Sequence, residues 1–166
     1  MASPLLSADL LRRYDRPGPR YTSYPTAPRF HDGFDESQLR EAIAASNGDP
    51  IPQRLSLYVH VPFCNSPCFY CGCNRVITRD AARGEQYLGY LHREIALIAP
   101  LFDLGREVGQ LHFGGGTPNY LCPAQLHEVV SLSRRSFRFS QARDRDISIE
   151  LDPRFIPAYS NLAGSL

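Results

Sequence analysis

The sequence predicts an α/β fold of parallel strands, the N-terminal part of a partial TIM-type (β/α) barrel, and three observations carry that reading. Strand and helix patterns alternate from residue 55 onward, the order of a parallel sheet joined by crossover helices. A cysteine-rich turn and a glycine-rich turn each follow a strand, and a third strand ends in acidic residues. In barrels of this kind the chemistry sits where strand carboxyl ends meet their loops. All three polar features fall there.

Taken in order, residues 1–50 read as a lead-in segment. Pro17, Gly18, Pro19, Pro25 and Pro28 make its middle extended or turn-rich, with Tyr21, Tyr24 and Phe30 available to pin it onto a body. Asp35 followed by Gln38 resembles a capping box, and Leu39, Ala42 and Ile43 then form a short helical stripe that Asn47, Gly48 and Pro50 end. Residues 51–166 read as an incomplete core domain. Leu55, Leu57, Val59 and Val61 alternate with Ser56, Tyr58 and His60 at the period of a strand. After the cysteine loop, Tyr87, Leu91, Ile95 and Ile98 recur at helical spacing up to Pro100. A second strand, Gln110 to Phe113, runs into Gly114-Gly115-Gly116-Thr117-Pro118. The next helix is expected from Pro123, suited to a first turn, to about Phe137. Ile147, Ile149 and Leu151 alternate with Ser148, Glu150 and Asp152 as a third strand, closed by Pro153. About three strands are too few for a barrel, and Leu166 falls inside what should be the next helix, so the sequence reads as truncated.

The length of 166 residues suffices for one hydrophobic core. A net charge of +1 gives no general attraction to nucleic acid or anionic membranes. The arginine-rich stretch Arg134 to Arg145 is interrupted by Asp144 and apolar residues and reads as a solvated face. No apolar run approaches the ~18 residues of a membrane span, and Met1 to Asp9 lack the pattern of a secretory signal. A cytoplasmic, reducing location is expected. There, four of five cysteines within ten residues point to metal binding or catalysis rather than disulfides.

Those cysteines are Cys64, Cys68, Cys71 and Cys73. A [4Fe–4S] cluster takes four thiolates, whereas three in one loop leave an iron open to a ligand. A zinc site would favour paired CxxC motifs or spaced histidines, and His60, His92 and His112 lack that spacing. A redox pair of Cys68 and Cys71 would leave the other cysteines unexplained. Spacing alone makes Cys73 a fourth ligand, and Cys122 an incidental thiol at a helix start. The triple glycine lets backbone approach a ligand closely, or simply makes a tight corner. Glu150 either accepts hydrogen bonds from a cofactor's ribose or amine, or pairs with Arg154 or another neighbour. For Tyr58 and His60, on one face of the first strand, a satisfied core tyrosine is the default.

Together, Cys64-x-x-x-Cys68-x-x-Cys71, the Gly114–Pro118 turn and the strand ending at Glu150 resemble radical S-adenosylmethionine (SAM) enzymes. Tyr21-Thr22-Ser23-Tyr24-Pro25-Thr26, Leu57 to Cys64, Cys71-Gly72-Cys73-Asn74, Leu111 to Pro118 and Ile149 to Arg154 resemble, more closely, oxygen-independent coproporphyrinogen III oxidases of haem biosynthesis. The resemblance runs from about Tyr14 to Arg154. It implies that Cys64, Cys68 and Cys71 ligate a [4Fe–4S] cluster whose open iron is chelated by one SAM, contacted by Tyr58, Gly115 and Glu150. A second SAM would touch Tyr70, Gly116 and Thr117, and Cys73 would be a thiol needed for activity outside the cluster.

The implied reaction is reductive cleavage of SAM, hydrogen removal from the β-carbon of a propionate, and loss of CO2 and one electron to leave a vinyl group. Carried out twice, it converts coproporphyrinogen III into protoporphyrinogen IX. It calls for an electron donor to the cluster and a terminal acceptor, in an enzyme monomeric at full length. Members of the family continue into further strands and a C-terminal domain, so this chain alone is expected not to complete the reaction, and its unpaired strand edge favours aggregation. The run Phe155 to Leu166 only loosely resembles the amphipathic helix expected there. The rivals are a haem chaperone-like radical SAM relative, which usually lacks the Cys73 and Tyr21–Thr26 features, and a non-catalytic iron–sulfur or zinc module.

Overall fold

In a computed structural model, residues 8–15, 29–69 and 71–155 are described. The Tyr21–Thr26 segment, Tyr70 and residues 156–166 lie outside them. The chain divides into two compact units, Met1–Glu36 and Ser37–Leu166. The first contains the short helix α1, Ala8–Tyr14, where Arg12 meets Asp9 one turn away at 3.2 Å. The helix expected after Asp35 is α2, Glu36–Asn47, which buries Ile43. At its end the Asn47 amide donates to the Leu101 carbonyl at 2.8 Å.

The body is a parallel sheet. β1, Leu55–Val61, pairs with β4, Glu107–Gly115, whose other edge carries β5, Arg138–Phe139, and then β6, Asp146–Ile149. Every pairing is parallel. The connections between these strands hold helices α3, Ala81–Ile98, and α4, Pro123–Ser136. A second, two-stranded sheet of β2, Phe63–Cys64, and β3, Val76–Ile77, closes the base of the cysteine loop.

Alternation in β1 divides the sheet into two faces. Val59 and Val61, with Leu111 and Phe113 of β4, join Leu88 and Leu91 of α3 and Leu126, Val129 and Val130 of α4 in one core. The opposite face is polar. The register sets Tyr58 beside His112 and His112 beside Ser148. Strand β4 starts three residues before the expected Gln110, because a bulge between Val108 and Gln110 shifts the register against Leu55 and Ser56. That extra residue, Gly109, lets Val108 and Leu111 both be buried although they are three apart.

Helix α3 begins six residues before Tyr87, where the Asp80 side chain accepts the Ala82 N–H as an N-cap. Helix α4 follows the expected range, starting at Pro123, with the Gln125 side chain accepting the Cys122 N–H at 2.9 Å. The arginine-rich stretch is largely exposed, as a solvated face should be, but it also contains β5 and the buried Ser140. Two of its charges are paired across elements, Arg138 with Glu107 at 3.2 Å and Asp144 with Arg54 at 2.9 Å.

Tyr87 ties α3 to β1 by donating its hydroxyl to the His60 carbonyl at 2.8 Å. Burial, then the nearby Glu94 charge, push this phenol up to about 12. The raised value means the contribution is complete below the unfolded tyrosine pKa near 10 and is lost as pH rises through about 12. Thermal melts between pH 9 and 12 should therefore fall more steeply for the wild type than for Tyr87→Phe. Parallel curves would contradict that linkage.

Candidate functional site

The site forms at the carboxyl ends of β1, β4 and β6. Beyond β1 the chain passes through Pro62 into β2, and the loop carrying the cysteines leaves and returns through β3. Backbone bonds from Val76 N to the Pro62 carbonyl (2.7 Å) and from Thr78 N to the Cys64 carbonyl (2.9 Å) close it. The His60 ring reaches the Asn74 carbonyl through Nε2 at 3.1 Å. A carbonyl can only accept, so His60 carries its proton on Nε2 and Nδ1 is left to accept the Tyr58 hydroxyl, 3.5 Å away.

All five cysteines are free thiols. Cys64 is buried, and the Thr117 hydroxyl donates to its Sγ at 3.2 Å. Cys73 is exposed, and its thiol is pushed above the ordinary cysteine range by desolvation, by a hydrogen bond with Cys71, and by the charges of Cys71, Glu150 and Cys64. Cys68 points elsewhere, with the Arg154 guanidinium 3.8 Å from its Sγ. Among the described residues, no group of three His, Cys, Asp or Glu side chains stands close enough to hold a metal ion as placed.

The glycine-rich turn lies against this loop. Gly116 N donates to the Val61 carbonyl at 2.8 Å. A Cβ at Gly116 would come within 3.0 Å of Cys64 Sγ, and one at Gly115, which has φ +112°, within 2.8 Å of the His60 ring. The two glycines therefore leave a cradle beside the thiols that any side chain would fill. Three thiols on one loop next to bare backbone fit a thiolate-held cluster with room for a ligand.

Glu150 follows β6, held in line by its N–H to the Phe113 carbonyl at 2.9 Å. Of the expected pairings, the one with Arg154 does not form and one with another neighbour does. Asp152 holds Arg154 by two bonds from Nε, at 2.9 and 3.0 Å, and Glu150 instead faces His112 Nε2 at 3.5 Å. That guanidinium holds the Asp152 carboxyl below the usual aspartate value, against an opposing effect of burial. Tyr58 is 58% exposed, so it is no core tyrosine, and it lies over the His112 ring with centroids 5.7 Å apart and planes 17° apart. Desolvation, then the charges of Glu150 and Cys73, raise its phenol above the usual value. Tyr58, Cys73 and Glu150 thus gather on the polar face, while Cys64, Gly115, Gly116 and Thr117 line the adjoining turn. Tyr70 lies outside the described residues.

A cleft of about 560 Å³ opens between the cysteine loop and the segment after β6, lined by Pro67, Cys68, Gly116, Thr117, Glu150 and Arg154 among others. The sequence assigns no site role to Asn119, sets His112 aside as a zinc ligand, and offers Arg154 only as a partner for Glu150. For His112 the usable signal was its place on the same face as Tyr58 and Glu150. Asn119 is 3% exposed and clamps the cleft wall, donating from Nδ2 to the Asp152 carbonyl at 3.1 Å and accepting the Asp152 N–H at 2.9 Å. Asn119→Leu leaves both backbone groups unmatched in a part-buried place and is expected to lower stability by roughly 1–3 kcal/mol. Denaturant unfolding measures this, and an unchanged midpoint would show the clamp to be dispensable.

Parallel strands thus present a cysteine loop, a glycine-rich turn and a carboxylate at one end of the sheet. A solved structure that superimposes on this chain is coproporphyrinogen III oxidase from Escherichia coli, described as a radical SAM enzyme, with a TM-score of 0.73 and 47% identity over 88% of this chain and 31% of that one. Among curated proteins, the oxygen-independent coproporphyrinogen III oxidase of Escherichia coli K12 is 49% identical over 148 residues, 89% of this chain. The protein of that name from Mannheimia haemolytica is 47% identical over 145 residues, covering 87% of this chain and 94% of that sequence. The chain belongs to the oxygen-independent coproporphyrinogen III oxidase family. It spans 31% of the length of the Escherichia coli relative. No family model matches it. Among the described residues no helix is long and apolar enough to cross a membrane.

Proposed function

We propose that this chain forms the cluster end of a radical SAM enzyme that decarboxylates coproporphyrinogen III to protoporphyrinogen IX. The observation that carries the reading is the meeting of the cysteine loop, the Gly114–Pro118 turn and Glu150 around one cleft, in a chain 47–49% identical to enzymes of that name. Cys64, Cys68 and Cys71 would hold a [4Fe–4S] cluster, with Cys68 turning from Arg154 to join the others. When bound, the cluster supplies the electron that cleaves SAM, and the chemistry that follows oxidises a propionate to a vinyl group with loss of CO2.

The chain's own residues bind and orient. The bare backbone of Gly115 and Gly116 admits a cofactor to the edge of the thiol loop, while Thr117 holds Cys64 by a hydrogen bond to sulfur. Glu150 offers carboxylate acceptors to a ribose or an amine, and Tyr58 forms an aromatic wall beside it. Gly116 and Thr117, with Tyr70, would meet a second SAM. Cys73 stands by Tyr58 and Glu150 as a functional thiol. An electron donor and a terminal acceptor come from outside the chain. Five free thiols suit a reducing cytoplasm, and a net charge of +1 suits work away from nucleic acid and membranes. The remaining walls of the site belong to the part of the relatives that this chain does not span.

Anaerobic reconstitution with iron and sulfide, read by electron paramagnetic resonance with and without SAM, tests the proposal. A [4Fe–4S] signal that SAM alters supports it. Bound zinc, or a cluster indifferent to SAM, would sink it.

A further inference from the structure

We propose that His112 is a positioning residue that holds Glu150 and Tyr58 in one arrangement for cofactor binding, a role that rests on the functional reading above. Each of these side chains comes from a different place. Tyr58 is on β1, His112 on β4, and Glu150 follows β6. In the register His112 lies between Tyr58 and Ser148, and its ring also faces Glu150, two residues beyond Ser148. Its ring lies under the Tyr58 ring, 5.7 Å between centroids and nearly parallel at 17°. Nδ1 is 2.9 Å from Ser148 Oγ, and Nε2 is 3.5 Å from Glu150 Oε1.

The contacts fix the ring twice over. Stacking on Tyr58 sets its plane, and the Ser148 hydroxyl sets its rotation within that plane. Gly114, two residues on, makes the stack possible, because a Cβ there would fall 2.8 Å from the Tyr58 hydroxyl oxygen and 3.1 Å from His112 Nε2. A carboxylate offers only acceptors, so the ring keeps its proton on Nε2 facing Glu150, and Nδ1 accepts from Ser148. Glu150 is otherwise 58% exposed on a flexible stem. With one carboxylate oxygen turned to His112, the other is left to accept from a ligand. Without His112 the carboxylate samples several rotamers and the Tyr58 ring loses its support.

The test compares three variants of the reconstituted protein, with SAM as the probe and thermal melts as the folding control. His112→Phe keeps the stacked ring and removes both nitrogens, and is expected to weaken SAM affinity about tenfold with little change in melting. His112→Gln, whose amide nitrogen reaches the place of Nε2, should recover most of the affinity. His112→Asn, which reaches only Ser148, should not. Affinities that simply follow the melting temperatures would mean a structural role and overturn the proposal, as would wild-type affinity in His112→Phe. A ligand-free readout separates this from the functional reading. Proton–nitrogen correlation spectra of the cofactor-free protein should show the Nε2–H tautomer of His112, and its signals should move in Glu150→Ala. An Nδ1–H tautomer, or no response to Glu150→Ala, overturns the role of His112, whereas a wild type that ignores SAM overturns the functional reading itself.

Discussion

Gly115→Val is expected to destroy the site and to destabilise the chain by on the order of 2–5 kcal/mol, the sum of a strained backbone and an overpacked contact. Gly115 has φ +112°, a conformation that a β-branched residue does not tolerate. The new Cβ would also stand 2.8 Å from His60 Cε1 and Nδ1. His60 has little freedom to move aside, since its Nε2 holds the Asn74 carbonyl and its backbone carbonyl accepts the Tyr87 hydroxyl. Displacing it releases the returning arm of the loop that carries Cys71 and Cys73. Melting temperature and iron content after anaerobic reconstitution should fall together. Gly116→Ala is the milder companion. Its Cβ presses on Cys64 Sγ at 3.0 Å and on the backbone of Pro62 and Phe63, so loss of iron should exceed loss of stability. A Gly115→Val chain that melts and takes up iron like the wild type would show that neither the positive φ nor the His60 contact matters.

How much of this was legible in the sequence follows from which forces act locally. β1 was readable to the residue because one of its faces is buried and the other is not, so Leu55 to Val61 alternate cleanly. β4 was readable only from Gln110. Its first residues are hidden by the Gly109 bulge, which puts Val108 and Leu111 on the same side and breaks the period of two. β5 was invisible, because two residues inside an arginine-rich run carry no period at all, and the strand exists by pairing with Glu107 and Val108. The early turns of α3, Ala81 to Gln86, are largely exposed and carry no apolar stripe, so only the Asp80 cap marks their start.

In the site, the motif residues stood out because their types are unusual in those places. His112 and Arg154 lie inside motif runs, but their types alone name no partner. Their roles depend on neighbours 36 and 86 positions away in the chain, Ser148 and Cys68. The choice of partner for Glu150 was likewise beyond reach of the sequence. Arg154 is nearer in the chain, but Asp152 satisfies it at close range, which leaves Glu150 to the histidine across the sheet.

Cys73→Ser should separate the two roles open to the fourth cysteine. Spacing makes Cys73 a cluster ligand, whereas the resemblance makes it a thiol that acts beside the cluster. Its surroundings touch both roles, a hydrogen bond with Cys71 on one side and the charges of Glu150 and Tyr58 on the other. Cys73 lies close enough to Glu150 and Tyr58 for their charges to bear on one another, on the polar face where a substrate would approach. The backbone around it is pinned from both sides, the Cys73 carbonyl by Arg75 Nη1 at 3.2 Å and the Asn74 carbonyl by His60 at 3.1 Å. A thiol anchored this way can be presented to a ligand without help from a metal. The expected result is that Cys73→Ser retains iron content, the [4Fe–4S] resonance and its response to SAM, while porphyrinogen decarboxylation by a complete enzyme carrying the change falls to background. Cys64→Ser, Cys68→Ser and Cys71→Ser should each lose the cluster itself, because a neutral serine hydroxyl is a poor substitute for a thiolate on iron. Should Cys73→Ser lose iron to the same degree as those three, Cys73 is a ligand, the iron has no open position, and direct chelation of SAM by the cluster falls with it.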